Sequence, residues 1–400
     1  MEINKLLKDL FLTVRNDYAG WEAKQARHNP SPFVTMLGQA YYDRRMSSLL
    51  VLQAVSQYCA GMRDRNLKFE LNAEGYEPFS RGFSVRRCAA GMFVDAVTQE
   101  ARLCPGDEVL AINRTAPERI VKNLPNPLLA ADEPEREQWN GYLKLARYPG
   151  DTDAAPALWK LPGGALLLDP GSMNDAEALE AFVEAHRAVL DGCSRLVLDL
   201  RAAAGDDEEA LLPLLPYIVK ADCTAAEAFG DRRIRTNYTK MNCTRLIRML
   251  TPYLVDEDPA LRQMAQQLTA YYRDQSGKGW VDEVEELPVP AETPIQRRGP
   301  EKVVVLTDTW CEQEAERFVQ LAKQQGRAAL LGRPTMGTLD YTNPVMVEYD
   351  EFIFTYPISR TAASLEGEGV DERGVQPDVL VPWTPEECTA DLLAQKALTL

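Results

Sequence analysis

Three short apolar runs constrain what this chain can fold into more than any other feature. They are Leu196–Leu200, interrupted only by Asp199, then Val303–Leu306 and Ala328–Leu331. Runs this short and this apolar read as strands buried on both faces, the pattern of a parallel sheet. Helical spacing fills the intervals. Asp175–Leu190 is a predicted helix with Asn174 as its cap,. Ala315, Phe318, Val319 and Ala322 make one face of another helix, which Asp308 or Thr309 would cap and Gly326 would end,. Ala165–Leu168 reads as a further strand. Strands alternating with helices need right-handed crossovers, so residues 156–400 are predicted to form an α/β domain with a mainly parallel sheet,.

The chain upstream reads differently. Residues 1–67 are predicted to be helical, with Leu6, Leu7, Leu10 and Val14 on one stripe and Met46, Leu49, Leu50, Val55 and Tyr58 on a second,. Asn29-Pro30-Ser31-Pro32 separates the two stripes,. Residues 68–123 carry short β-like runs around Phe83, Val85, Met92 and Val94, and Pro105-Gly106 reads as a turn leading into a buried strand up to Ile112,. Residues 124–155 are polar and proline-rich, a connector with one strand expected at 142–146. Further on, Pro213 and Pro216 must break the apolar stretch 208–219, residues 222–275 read as mostly helical, and 281–300 as an acidic loop,.

Composition narrows the function classes. Sixty acidic against 44 basic residues give a formal charge of -16, a field that repels nucleic acid and anionic membrane,. No run approaches the ~20 apolar residues of a membrane span, and the first residues lack the apolar core of a secretory signal. Eight cysteines without a Cys-x-x-Cys pair read as reduced, mostly buried thiols of a cytoplasmic protein,. Two histidines, His28 and His186, exclude a His-rich metal site, and no metal or other cofactor is expected,.

Several motifs stand in a fixed order: Leu196 to Arg201 ending in Asp-Leu-Arg, VVVLTDTW followed by CEQEAERFVQLAK, and the stretch from LLGRPTMGTLDYTNP to GVDERGVQPDVLVPW. Together they resemble the tail-specific and tricorn-like serine protease family. The resemblance implies a ClpP/crotonase-like core over residues 156–400, and it likens residues 68–123, chiefly PGDEVLAINR, to the PDZ module that many members carry.

The family's chemistry needs a serine at the helix start, a base, and backbone donors for the oxyanion. Aligned on the family's Ser-x-x-Glu, this chain has Gln313-Glu314-Ala315-Glu316, so Gln313 stands at the nucleophile position while Glu316 matches the motif acid. Thr338 follows Thr335-Met336-Gly337 where tail-specific members place a lysine, and Asn66 of Asp64-Arg65-Asn66 stands where tricorn-like members place a histidine. The glycine-rich oxyanion turn reads Ala202-Ala203-Ala204-Gly205. The resemblance therefore implies a catalytically degenerate homologue that binds a peptide or protein partner, neither nucleic acid nor membrane. The alternative is an active hydrolase with a displaced nucleophile, and a third reading is a purely architectural subunit. Cys311 is a poor substitute nucleophile, because the acidic Glu312, Glu314 and Glu316 disfavour its thiolate,. Peptide capture is expected at the PDZ-like element Gly82-Phe83-Ser84-Val85, with Arg81, Arg86 and Arg87 favouring an anionic chain end,.

Overall fold

A computed structural model describes residues 3–72, 82–98, 100–123, 134–137, 139 and 154–400. The chain divides into two units, each built from three separated stretches: 1–76 with 232–285 and 340–371, and 77–231 with 286–339 and 372–400. These units cut across the four consecutive segments expected from the sequence. No helix among the described residues is long and apolar enough to cross a membrane.

The strand Phe352–Thr361 organises the first unit. Tyr341–Tyr349 pairs antiparallel along it, and Lys68–Leu71 and Arg233–Tyr238 also pair with it; Gly279–Val284 extends the sheet from Arg233–Tyr238. Phe352, Phe354, Tyr356 and Ile358 alternate into the core, as period-two spacing requires,. There they meet Leu6, Leu7, Leu10 and Val14 of helix Ile3–Asn16 and Val51, Ala54, Val55 and Tyr58 of helix Ser48–Gly61. Of the second predicted stripe, Leu49 is instead exposed. Two expectations need correction. Arg233–Tyr238 and Gly279–Val284 are strands, although helices Lys240–Leu250 and Pro259–Gln275 between them fit the sequence reading. Lys68–Leu71 pairs with residues 352–355 of this unit and not with the β-like runs that follow it.

The second unit holds a six-stranded sheet in the order Val379–Leu380, Ala329–Gly332, Val303–Thr307, Arg195–Asp199, Ala165–Asp169, Ala157–Lys160. All its pairings are parallel except the last, which is antiparallel. Helix Ala176–Gly192 is capped by Asp175 rather than Asn174, the Asp175 carboxylate accepting the Ala178 N–H at 2.9 Å. Helix Gln313–Gln325 ends at Gly326 in the left-handed conformation, as expected. Its N-cap is Glu312, without a side-chain cap bond; Asp308 and Thr309 lie upstream and bond elsewhere. Residues 208–219 break into a 3-10 turn, Glu208–Leu211, and a short helix, Leu215–Ile218.

Strands Phe83–Cys88 and Gly91–Val97 form an antiparallel hairpin in this unit, with a small core of Val85, Met92, Ile120 and Trp139. The run after Pro105 is not a buried strand. It bonds through its backbone to strand Gly91–Val97 at Gly106, Asp107 and Val109, but none of its residues 105–112 is buried and Leu110 is exposed. The strand expected at 142–146 and most of the connector lie outside the described residues.

Candidate functional site

Helix Gln313–Gln325 begins six residues after the central strand Val303–Thr307 ends, at the carboxyl edge of the parallel sheet, where open α/β sheets place their ligands,. Gln313 has a φ of 54°, a left-handed backbone that a glutamine adopts only under constraint,. Its side chain is exposed. A carboxamide there offers neither a nucleophilic atom nor a proton acceptor of useful basicity.

The backbone donors at this helix start are consumed within the chain. The N–H of Glu312 donates to the Ala203 carbonyl at 3.3 Å, that of Gln313 to the Thr338 hydroxyl at 3.0 Å, and that of Glu314 to the Gly205 carbonyl at 2.9 Å. An oxyanion site needs donors aimed at a reacting atom. Here the Ala203–Gly205 turn itself occupies two of them. None of Ala202, Ala203 and Ala204 has a positive φ, so the added methyl groups fit an ordinary turn. Gly205 is required by close approach: a Cβ there would fall 2.1 Å from the Met173 carbonyl oxygen,.

Glu316 is fully buried and holds the next turn in place. Its carboxylate accepts the Thr335 hydroxyl, the Gly337 N–H at 2.6 Å, and both the N–H and the hydroxyl of Thr338 at 2.7 Å. Burial raises the Glu316 carboxyl above the usual carboxylate range while these hydrogen bonds pull it down,. Thr338 therefore sits in a relay, accepting from the Gln313 backbone and donating to Glu316. Gly374 closes the far side with a φ of 69°; a Cβ on it would meet the Thr335 carbonyl oxygen at 2.0 Å. Arg136, from the region read as a plain connector, donates to the carbonyls of Thr335, Met336, Glu372 and Arg373. Nothing in the local sequence around Arg136 signals that role.

Asn66 belongs to the first unit, where its N–H donates to Asp64 at 2.8 Å and its side-chain amide to the Tyr341 carbonyl at 2.7 Å. Asp64 is buried and accepts from the Tyr18 hydroxyl at 2.7 Å. An amide nitrogen used as a donor cannot take a proton from a nucleophile. Burial, and then the charges of Glu316 and Glu312, push the Cys311 thiol far above its usual range, so it stays protonated,. His28 bonds the Tyr58 hydroxyl within an aromatic cluster, and His186 bonds the Phe182 carbonyl of its own helix. Cys59, Cys88, Cys243 and Cys311 are buried; the other four thiols are partly or fully exposed, against the expectation that most are buried.

In the hairpin, Gly82 has a φ of 76°, and its carbonyl accepts from the Thr98 and Glu100 N–H groups. Ser84 and Val85 are buried. Two of the three arginines expected to attract an anionic chain end are paired within the chain. Arg86 is buried in a two-pronged pair with Asp308, 2.7 Å on one prong, and Arg87 forks onto Glu137 at 2.6 Å on both. Arg81 lies outside the described residues. Asp308 also faces Arg333, 3.4 Å away. Burial works to raise the Asp308 carboxyl, yet the two guanidiniums hold it well below the usual range,.

The profile described as peptidase family S41 matches residues 141–381. Mature CPAF has a similar structure, with a TM-score of 0.61 at 13% identity over 98% of this chain and 95% of that one. A point mutant of CPAF gives 0.65 at the same identity and coverage. The photosystem II D1 C-terminal processing protease aligns over 96% of this chain and 94% of its own, at 14% identity and a TM-score of 0.44. At these identities the CPAF likeness speaks for the fold.

Proposed function

Since the chain belongs to peptidase family S41, we propose that it is a non-hydrolytic member that holds a peptide or protein segment without cutting it. One observation carries the reading: at the helix start where the family resemblance puts its nucleophile, the residue is a carboxamide and three successive backbone N–H groups are bonded within the chain. A nucleophile, a base and free oxyanion donors are needed together, and each absence is worth orders of magnitude in rate. The Asn66 amide, bonded as a donor, supports the same reading. The family's designation as a peptidase is what makes a peptide the expected ligand, and the Gly82-Phe83-Ser84-Val85 element of the hairpin is the proposed place of capture.

A fluorophosphonate probe is expected to leave no adduct, and neither unstructured protein nor ester substrates are expected to be hydrolysed. Gln313→Ser alone is expected to stay inactive, because the position that resembles the family's base holds the amide of Asn66 and the Ala203–Gly205 turn still holds the donors. A stoichiometric adduct on the wild-type chain, or turnover by the single variant, would overturn the reading. Peptide capture is tested separately by titrating free-acid peptides against their amidated twins. Preference for the free acid supports capture at the hairpin; no binding by either leaves an architectural role.

A further inference from the structure

The carboxyl edge of the parallel sheet carries a second feature, distinct from the helix start and independent of the reading above. A cavity of about 410 Å³ opens there, within the ~300–1,000 Å³ of small-molecule sites,. The strands ending at Asp199, Thr307 and Gly332 deliver Arg201, Asp308 and Arg333 to it, the hairpin delivers Asp95, and the C-terminal stretch delivers Glu387 and Asp391. Four carboxylates thus face two guanidiniums. Bringing in the immediate partners Arg86, Asp199 and Glu135 raises the acidic excess rather than cancelling it.

The charges are unequally served. Arg201 forks onto both Asp199 and Asp391, and Arg333 reaches Glu387 and Asp308. Asp95 differs: its Oδ2 is buried and accepts no hydrogen bond among the described residues. Arg333, almost wholly buried, makes no hydrogen bond from its Nε–H, which faces the Glu135 carboxylate at 3.8 Å. Leaving a buried polar atom unserved is costly, more so for an ion. Burial pushes the Asp95 carboxyl up to about 6, even with Arg86 nearby. Asp95 lines the cavity, so a donor entering it meets this carboxylate. No group of three or more His, Cys, Asp or Glu side chains among the described residues is arranged to hold a metal ion, while Trp383 and Pro105 give the cavity apolar wall.

We infer that this cavity binds an organic cation, an alkylammonium or alkylguanidinium group, whose N–H donors serve Asp95 and whose alkyl stem lies along Trp383. The shared chemistry fits either a free amine or the basic side chain of a polypeptide. Calorimetric titration of the full chain separates them, using agmatine, its uncharged urea analogue carbamoylputrescine, and arginine within a short glycine peptide blocked at both ends. Agmatine is expected to bind saturably and to weaken about tenfold or more in Asp95→Asn and on raising the salt. Asp95→Glu is expected to keep much of the binding. Binding of the blocked peptide comparable to agmatine identifies a side-chain pocket; agmatine alone identifies a small-molecule pocket. The inference is overturned if agmatine shows no saturable binding, if the urea analogue binds as well, or if Asp95→Asn binds unchanged while its circular dichroism shows a folded chain.

Discussion

The helix start at Gln313 and the cavity around Asp95 lie on the same carboxyl edge of one sheet, yet their polar groups are used in opposite ways. At the helix start the described bonds close on themselves: Glu316 accepts from Thr335, Gly337 and Thr338, and the N–H groups of residues 312–314 end on Ala203, Thr338 and Gly205. At the cavity, the buried Asp95 Oδ2 accepts no hydrogen bond among the described residues. The sheet edge favours ligands in both places. What differs is whether the chain has already supplied the ligand's bonds from within. At the position that resembles a catalytic centre the described donors end within the chain, while at a position with no motif a buried carboxylate oxygen accepts no hydrogen bond among the described residues.

The largest effect should come from opening the closed side. Glu316→Ala leaves the buried donors of Thr335, Gly337 and Thr338 without their acceptor, and a loss of about 3–5 kcal/mol is expected from urea unfolding,. A loss below about 1 kcal/mol would mean that the turn holds itself and that the contrast is overstated.

Asp95→Asn probes the unspent side and should act in the other direction. The folded Asp95 carboxyl is raised to about 6, above its unfolded value near 4,. A group raised in this way favours the fold while it is protonated, below about pH 4, and that contribution is lost as pH rises through about 6. The uncharged asparagine avoids the loss. The variant should therefore be more stable than the parent at pH 8 by about 1–3 kcal/mol, with the difference vanishing near pH 4. Stability gained together with cation binding lost is the signature of a binding group held at a cost to the fold. A variant less stable at pH 8 would show Asp95 to be structural.

The smallest effect concerns the strained backbone. Gln313→Gly removes the penalty of a left-handed glutamine and adds the entropy of a glycine, so a net gain of about 0.5 kcal/mol is expected,. A clear destabilisation would mean that the exposed glutamine side chain makes a contact in solution that stabilises the turn.

Much of the fold was legible. Val303–Leu306 and Leu196–Leu200 announce buried parallel strands because both faces must be apolar, and the Leu6–Val14 stripe announces its helix because 3.6-residue spacing leaves one face to bury,. The strands Arg233–Tyr238 and Phe352–Thr361 were not read as strands, since their place is set by pairing on both sides, Phe352–Thr361 with the neighbouring Tyr341–Tyr349 and with the distant Arg233–Tyr238, which also pairs with Gly279–Val284,. The helix cap at 308–309 was misread for a related reason. An aspartate beside an apolar run looks like a local cap, but Asp308 pairs with the Arg86 guanidinium and accepts the Thr309 N–H, and the helix begins only at Gln313,.

The sequence by itself determined which side chains stand at the positions that resemble the family's, so that Gln313 and Asn66 can offer only amides there; residue identity fixes what an atom can donate or accept. Only the tertiary structure decided where those capacities are spent. Whether Arg86 greets a ligand or buries itself against Asp308, whether Thr338 is idle or relays Gln313 to Glu316, and whether Asp95 finds a donor all depend on which distant segments the sheet brings within 3 Å or so, the short range over which a hydrogen bond acts,.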